Sequence, residues 1–483
     1  MNPTEEQQTA VRLAATEQDL TIEALAGCGK TTTLRLVSEA MQHRQGSYVA
    51  FNKAIVEDSR NKFPSNTSCS TAHSLAYKAV GYKFRNRLNG ERQLFREVAS
   101  ILGIVYPLNV KIANSPVIIS VAEQVAAVKD TVDNFCKDGT DEIQSYHIPV
   151  PQLLRQWSKE YREAVSEVVL DKAQEMWTDL NWPKGRIKFS HNNYLKMWQL
   201  QRPEIKSDFI LFDEAQDANG VMLAIVQAQD CQKIYVGDTY QQIYSWNGAV
   251  NAMKKTGNGN KCWLTESWRF GQGIADVANM MLKQLGCEVH LVGRGRESIV
   301  GDLEGEVDAL LFRTNSGTVS AMIAAHECGM SFHLVGGVTA IEHFCDAAQR
   351  MQNRQRPNHP DLNCFESWGA AVECSRSTDS DNDLSKLVDM IERHGVNTIK
   401  NVLRSNDGNE KQADIVISTA HKAKGREWDR VQVGSDFPGK LNEEEQRLLY
   451  VAATRAKVAL DISAVASHFT GQKNGIEETG SEC

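Results

Sequence analysis

Thr21-Ile-Glu-Ala-Leu-Ala-Gly-Cys-Gly-Lys-Thr-Thr-Thr-Leu-Arg-Leu36 decides the reading of this chain. An apolar run of strand character enters Gly27-Cys28-Gly29-Lys30-Thr31, and a helical pattern carrying Leu34 and Leu36 opens at once. Glycines let the backbone curl so that successive N–H groups point inward and make an anion cradle at a helix N-terminus. Ala26, Gly27, Cys28, Gly29 and Thr32 frame the cradle. Lys30 adds a point charge for β/γ-phosphates, and the Thr31 hydroxyl can ligate Mg2+. The general form of this loop begins with Gly where this chain has Ala24. A plain Gly-rich turn would not need strand, loop, Lys-Thr and helix to coincide, as they do here.

Such a loop needs a partner carboxylate. Phe209-Ile-Leu-Phe-Asp213-Glu214-Ala-Gln-Asp217 supplies it, a buried strand ending in two adjacent acids. Asp213 is expected to hold Mg2+ through water. Glu214 is expected to orient and deprotonate an attacking water, because phosphoryl transfer asks for metal charge and a positioned nucleophile.

Outward from these motifs, short β-branched or aromatic runs alternate with helical patterns. A first set of predicted strands comprises Thr21–Leu25, Tyr48–Asn52, Ser68–Ala72, Phe209–Phe212, Lys233–Gly237 and Cys262–Thr265. A second comprises Ala309–Arg313, His333–Val335, Ile415–Thr419, Val431–Val433 and Ala459–Ile462. Several are apolar on both faces, as parallel strands covered by helices are. The fold class is therefore α/β, with two doubly wound parallel-sheet domains. Residues 1–80 and 201–266 make the first, interrupted by a helical insertion over 81–200 without a clear strand. Residues 267–337 and 413–470 make the second, interrupted by a reduced, polar insertion over 338–412. Residues 471–483 read as a flexible tail.

Composition narrows the classes. Of 483 residues, 41% are hydrophobic and 24% charged, which excludes a disordered or collagen-like chain. No stretch approaches the ~20 apolar residues of a membrane span, and the N-terminus lacks the pattern of a secretory signal. The expected setting is cytoplasmic, or nuclear in a eukaryote, with no membrane partner. Lys plus Arg is 53 against 61 Asp plus Glu, a net charge of −8, so a nucleic-acid site here must be local rather than global. The 11 cysteines form no C-x-x-C pair. Two H-x-C pairs, His326/Cys328 and His343/Cys345, are each half of a zinc ligand set without the other half.

Seven further stretches, in order, make a specific resemblance. They are Asn2–Val11 (NPTEEQQTAV), Ala50–Lys53 (AFNK), Thr71–Leu75 (TAHSL), Val236–Ala249 (VGDTYQQIYSWNGA), Leu264–Phe270 (LTESWRF), Ser418–Trp428 (STAHKAKGREW) and Glu445–Ala456 (EQRLLYVAATRA). With the phosphate loop and its acids, the chain resembles superfamily 1 helicases of the UvrD/Rep/PcrA type. Within these it is most similar to the F-box DNA helicase branch, though no F-box is evident. The resemblance spans nearly the whole chain and implies two RecA-like P-loop domains.

It also implies roles. Gln7 matches the glutamine that reads adenine, Trp268 stands where the family has an aromatic over the adenine, and Glu427 matches its ribose contact. Gln241 resembles the γ-phosphate sensor. Arg269 and Arg455 resemble arginines that reach the γ-phosphate, and physically they suit arginine fingers that make closure depend on it. Phe51, Asn52, His73, Tyr244, Trp246 and His421 fall in motifs that contact DNA. Asn247 replaces the arginine the family commonly places after the aromatic, which puts one coupling contact in doubt.

Sequence-tolerant single-strand binding needs aromatic faces and cations. Tyr82–Arg96 holds Lys83, Arg85, Arg87, Arg92 and Arg96 against Glu91. Trp182–Lys206 holds Lys184, Arg186, Lys188, Lys196, Arg202 and Lys206 against Glu204, with Phe189, Tyr194 and Trp198 interleaved. Both are expected to touch the strand or duplex rather than serve only as solvated faces. The expectation is an ATP- and Mg2+-dependent 3′–5′ helicase acting on single-stranded DNA and ss/ds junctions. The alternatives are a translocase that strips proteins without unwinding, a motor subunit whose partner is a separate nuclease or a repair or defence protein, and a nucleotide-gated switch.

Overall fold

A computed structural model describes residues 2–50, 53–88, 90, 93–244, 248–257, 259–304, 307–359, 361–362, 365–377 and 383–469. The chain divides into two compact units. One holds the residues up to Ala24 and Lys30–Leu264; the other holds Leu25–Gly29 and the residues from Thr265 on. The expected tail over 471–483 lies outside the described residues.

The first unit is built on a six-stranded sheet, all of whose neighbours run parallel. Its order is Thr67–Thr71, Gly46–Ala50, Phe209–Phe212, Gln232–Gly237, Leu20–Ala24, Asn260–Leu264. Phe209–Phe212 (FILF) is buried at every position because it lies centrally with both faces covered. Gly46 is dictated by this packing: a Cβ there would sit 2.4 Å from the Phe209 ring. The strand Leu20–Ala24 ends at Ala24, and the helix Lys30–Ala40 opens immediately after the glycine loop. The loop's first residue thus closes a strand, where Ala serves as well as Gly.

The second unit repeats the plan. Its sheet order is Ile299–Val300, Ala456–Asp461, Trp428–Val433, Ala309–Phe312, Ile415–Thr419, Phe332–Leu334, again parallel throughout. All five residues of Ile415–Thr419 (IVIST) are buried. Two doubly wound parallel sheets are the fold class the sequence predicts.

The insertions differ from expectation in one respect. Within 81–200 the structure contains an antiparallel hairpin, Leu108–Ile112 with Ser115–Ile119, closed through Ala113 and Asn114 at φ 48° and 67°. The alternation Leu-Asn-Val-Lys-Ile is a strand signal, and a two-residue turn with both φ positive is a hairpin turn. The rest of the insertion is mainly helical, with Val121–Phe135 and Ser158–Asn181 its longest helices. Its core is continuous with that of the sheet: Val98, Val128, Val165 and Phe189 belong to one buried cluster with Val49, Ile210 and Phe212. Likewise the helices of the second insertion, through Phe344, Val388 and Ile399, share a cluster with Phe332 and Ile417 of the second sheet. Both insertions are extensions of the sheet cores rather than separate bodies. Among the described residues no helix is long and apolar enough to cross a membrane.

Candidate active site

In the first unit the side chains at the sheet's C-terminal edge converge. Lys30 opens its helix and sits 2.9 Å from Oε1 and 3.0 Å from Oε2 of Glu214. Burial opposes the lysine charge, but Glu214, Asp238 and Asp213 outweigh it and raise the Lys30 pKa above its ordinary value. Glu214 follows the buried strand in the left-handed region, φ 51°. That conformation is uncommon for a residue with a Cβ and typical of functional turns.

Asp213 is 2% exposed and has a donor at each oxygen. Oδ1 accepts the Glu214 backbone N–H at 2.8 Å, and Oδ2 accepts the Tyr48 hydroxyl at 2.6 Å, with Thr31 Oγ1 at 3.4 Å. Burial first, and Glu214 second, push its pKa up to about 6 against the pull of Lys30 and Tyr48. Thr31 and Asp213 form an oxygen-only donor set beside a cationic loop, which suits a hard cation such as Mg2+. The H-x-C pairs gather no such set: among the described residues no group of three or more His, Cys, Asp or Glu is placed to hold a metal.

A run of hydrogen bonds leaves this centre. Gln216 donates from Nε2 to Glu214 Oε2 at 2.5 Å and accepts the Asp238 backbone N–H on Oε1 at 3.1 Å. Asp238 accepts from Gln241 Nε2 at 2.7 Å and from the Tyr240 N–H at 2.9 Å. Gly237 is required at this crossing, since a Cβ would lie 2.3 Å from Gln216 Oε1. Next to Asp238, Thr239 donates to Glu23 at 2.9 Å, and burial raises the pKa of that carboxyl. Sequence reasoning quoted Gln216 and Asp238 without giving them roles, and it gave none to Tyr48. Tyr48 carries a signal, a hydroxyl within a strand that is otherwise apolar or small; Gln216 and Asp238 sit just past strand ends, where polar residues are ordinary.

Elsewhere in the first unit, Gln7 closes a capping box with Thr4, accepting the Thr4 N–H on Oε1 at 3.1 Å. His73 lies 3.4 Å from Asn192 Oδ1, and burial lowers its pKa. Tyr244 is half-buried. Phe51, Asn52, Trp246 and Asn247, expected on the DNA path or beside it, lie outside the described residues, as do Glu91 and Arg92.

The two basic segments meet. Gln93 donates to the Arg186 carbonyl at 2.7 Å and accepts the Lys188 N–H at 2.7 Å. Lys83, Arg85, Arg96, Lys184, Arg186 and Lys188 are exposed there, beside Tyr82, Phe95 and Trp182. Several residues expected to contact DNA instead serve the core. Arg87 is spent on Asp179 and the carbonyls of Leu180, Trp182 and Ile187. Lys196 is fully buried, donating to the carbonyls of Asp138 and Thr140. Phe189, Tyr194 and Trp198 are buried too and present no face to a base. A charged residue read along a sequence counts as solvated, but these head groups find carbonyls instead.

In the second unit, the glycine loop curls through Gly27 and Gly29 at φ 75° and 78°. Ala26 N–H donates to the Tyr450 hydroxyl at 3.0 Å, and Gly27 carbonyl accepts the Trp268 N–H at 3.1 Å. Cys28 is buried. Trp268 is 44% exposed, an open aromatic face. Arg269 Nε pairs with Glu427 at 2.7 Å and its NH1 donates to the Thr454 carbonyl at 3.0 Å. Arg455 is 1% exposed, and its guanidinium donates to the carbonyls of Val451 and Arg426 and to Thr454 Oγ1. His421 sits on the short helix Ala420–Ala423.

Residues 7–247 match the sequence profile of an AAA domain, and residues 309–467 that of the UvrD-like helicase C-terminal domain. The chain belongs to the UvrD-like helicase family. Lys30, Asp213, Glu214 and Gln241 of this UvrD-like chain fall in the first match, Glu427 and Arg455 in the second. It is 30% identical to the F-box DNA helicase 1 of Gallus gallus over 93% of its length and 48% of that protein. It is 30% identical to the F-box DNA helicase protein 1 of Schizosaccharomyces pombe over 91% of its length and 55% of that protein. A probable DNA helicase II homolog of Mycoplasma genitalium is 27% identical over 26% of the chain and 18% of its own length. The UvrD-like chain thus spans about half the length of the two F-box helicases it matches.

Proposed function

We propose that this chain is an ATP- and Mg2+-dependent DNA helicase that moves 3′ to 5′ on single-stranded DNA and acts at ss/ds junctions. The observation that carries the reading is the run Lys30–Glu214–Gln216–Asp238–Gln241, which joins the phosphate loop to the motif expected to grip DNA. In this reading the Lys30 ammonium leaves Glu214 for the β/γ-phosphates. Glu214, relieved of its counter-ion, then takes a proton from the attacking water. Mg2+, when bound, would be held by the Thr31 hydroxyl and, through water, by Asp213, and would supply charge neutralisation at the phosphates.

Gln7, Trp268 and Glu427 take the nucleoside, while Arg269 and Arg455 serve the γ-phosphate and Gln241 senses it. A change in the Glu214 partner alters the Gln216 bond and with it Asp238, and so reaches the loop of Tyr244 and Trp246. Phe51, Asn52, His73 and His421 complete the strand path. The exposed basic face around Lys184 and Arg186 takes the backbone at a junction. The names of the two F-box DNA helicases support DNA as the substrate.

The test is ATPase with and without single-stranded DNA, together with unwinding of duplexes bearing a 3′ or a 5′ tail. Stimulated ATPase with unwinding of the 3′-tailed duplex alone is expected. ATPase indifferent to DNA would refute the motor. Stimulation without unwinding would leave a translocase that displaces proteins.

A further inference from the structure

Tyr48 occupies the middle of Gly46–Ala50, a strand buried at every position and paired with Phe209–Phe212 so that Tyr48 lies opposite Leu211. Its side chain is 0% exposed, and Phe63 packs against its ring at 4.7 Å. Phenylalanine would fill this space, and a buried phenol is costly without a partner. The hydroxyl has one: it donates to Asp213 Oδ2 at 2.6 Å, the short distance of a charge-assisted bond.

The Asp213 N–H donates in turn to the Val49 carbonyl at 3.0 Å, so the neighbouring strand holds both backbone and side chain of the acid. With Oδ1 fixed by the Glu214 N–H and Oδ2 by Tyr48, the carboxylate cannot rotate. A carboxylate oxygen has two lone-pair positions: the second on Oδ2 faces the Thr31 hydroxyl at 3.4 Å, and Oδ1 keeps one beside the Glu214 N–H. Behind Tyr48, the Ser59 hydroxyl bonds the phenol oxygen. Ser59 is buried and ends the helix Lys53–Ser59, which follows directly on Phe51 and Asn52 of the expected strand path.

We propose that Tyr48 is a positioning residue that locks Asp213 in the orientation that receives the metal, and that Ser59 braces this lock from the end of the helix Lys53–Ser59. The proposal rests on the ATPase reading above.

It is tested on the whole chain by titrating Mn2+, read by electron paramagnetic resonance, in the presence of a non-hydrolysable ATP analogue. Tyr48→Phe keeps the ring and removes the bond. Its Mn2+ dissociation constant should rise about ten-fold, as loss of a partner that orients a metal ligand does. Thermal melting, recorded alongside, should show a folded protein. Unchanged Mn2+ affinity in Tyr48→Phe, at any melting temperature, would overturn the proposal and leave the phenol a structural role. If that variant fails to fold, Ser59→Ala, which spares both ring and carboxylate, must weaken Mn2+ in the same direction; unchanged affinity there would overturn it equally. Wild-type protein that binds neither analogue nor Mn2+ would instead refute the ATPase reading itself.

Discussion

Lys30 and Glu214 hold each other, the ammonium lying 2.9 Å from one carboxylate oxygen and 3.0 Å from the other. In the proposed mechanism, then, the charge that goes to phosphate here neutralises the group that takes the proton from water. Glu214→Gln removes this competitor, so nucleotide binding should persist or tighten. Turnover should fall by about 10²–10⁴, the usual contribution of a general base. Lys30→Ala should lose both. Equilibrium binding of a fluorescent ATP analogue with steady-state ATPase checks the pair, and near-normal turnover in Glu214→Gln would move the base elsewhere.

Gln216 bridges Glu214 and Asp238 through both ends of its amide. Gln216→Ala leaves the Asp238 N–H without this acceptor, at a cost of about 1–3 kcal/mol in stability. Nucleotide binding should remain, while stimulation of ATPase by single-stranded DNA should drop more than basal ATPase does. Equal loss of the two rates would make Gln216 a local brace rather than a link.

The two arginines should separate. Arg269 has two partners, the half-exposed Glu427 and the Thr454 carbonyl, so Arg269→Ala should cost only about 1–2 kcal/mol of stability. Its turnover should fall by something like 10³ if it acts as a finger. Arg455 is wholly enclosed by carbonyls of its own unit, so Arg455→Ala should cost about 3 kcal/mol or more. Melting curves beside ATPase rates resolve this; an Arg455→Ala protein as stable as wild type would return that residue to a purely catalytic role.

What the sequence made legible follows from what is local. Strand, glycine loop and Lys30 are contiguous, and Phe209–Phe212 is apolar at every position, so pattern alone locates the phosphate site and its acids. Tyr48 meets Asp213, and Gln216 meets Asp238, only because parallel strands bring distant segments side by side, and no periodicity announces that register. Lys196 and Arg87 mislead for the opposite reason. Their stems cross the core to reach carbonyls, while composition counts them as surface charge. The hairpin Leu108–Ile112/Ser115–Ile119 hides in the sequence because Ala113-Asn114 is not the Asn-Gly or Asp-Gly pair that marks such a turn, and Pro116 cannot donate to a ladder.

Lys196 gives a pH dependence. Burial pushes its pKa down to about 8 from 10.5, against the pull of Cys136, Asp138 and Asp141. The folded state therefore releases this proton before the unfolded state does. Between pH 8 and 10.5 the unfolded chain binds more protons, and stability from this group rises with pH. Lys196→Met has no proton to release there. The melting temperature of wild type minus that of Lys196→Met should increase across this window, and a constant difference would mean the ammonium is not held at a cost.

The exposed basic face predicts a salt signature that also names the DNA form it grips. Each phosphate neutralised contributes about 0.7 to the slope of log affinity against log salt for a single strand, and about 0.9 for duplex. Lys184 and Lys188 are exposed, and the Lys188 backbone rather than its side chain makes the structural bond to Gln93. Lys184→Ala/Lys188→Ala should therefore leave melting unchanged. If the face lies on the duplex arm of a junction, the double variant should lower the slope for a tailed duplex by about 1.8 and leave that for single-stranded DNA alone. A loss of about 1.4 on single strands would place the same face on the strand path instead. No change in either slope would return both lysines to plain solvated surface.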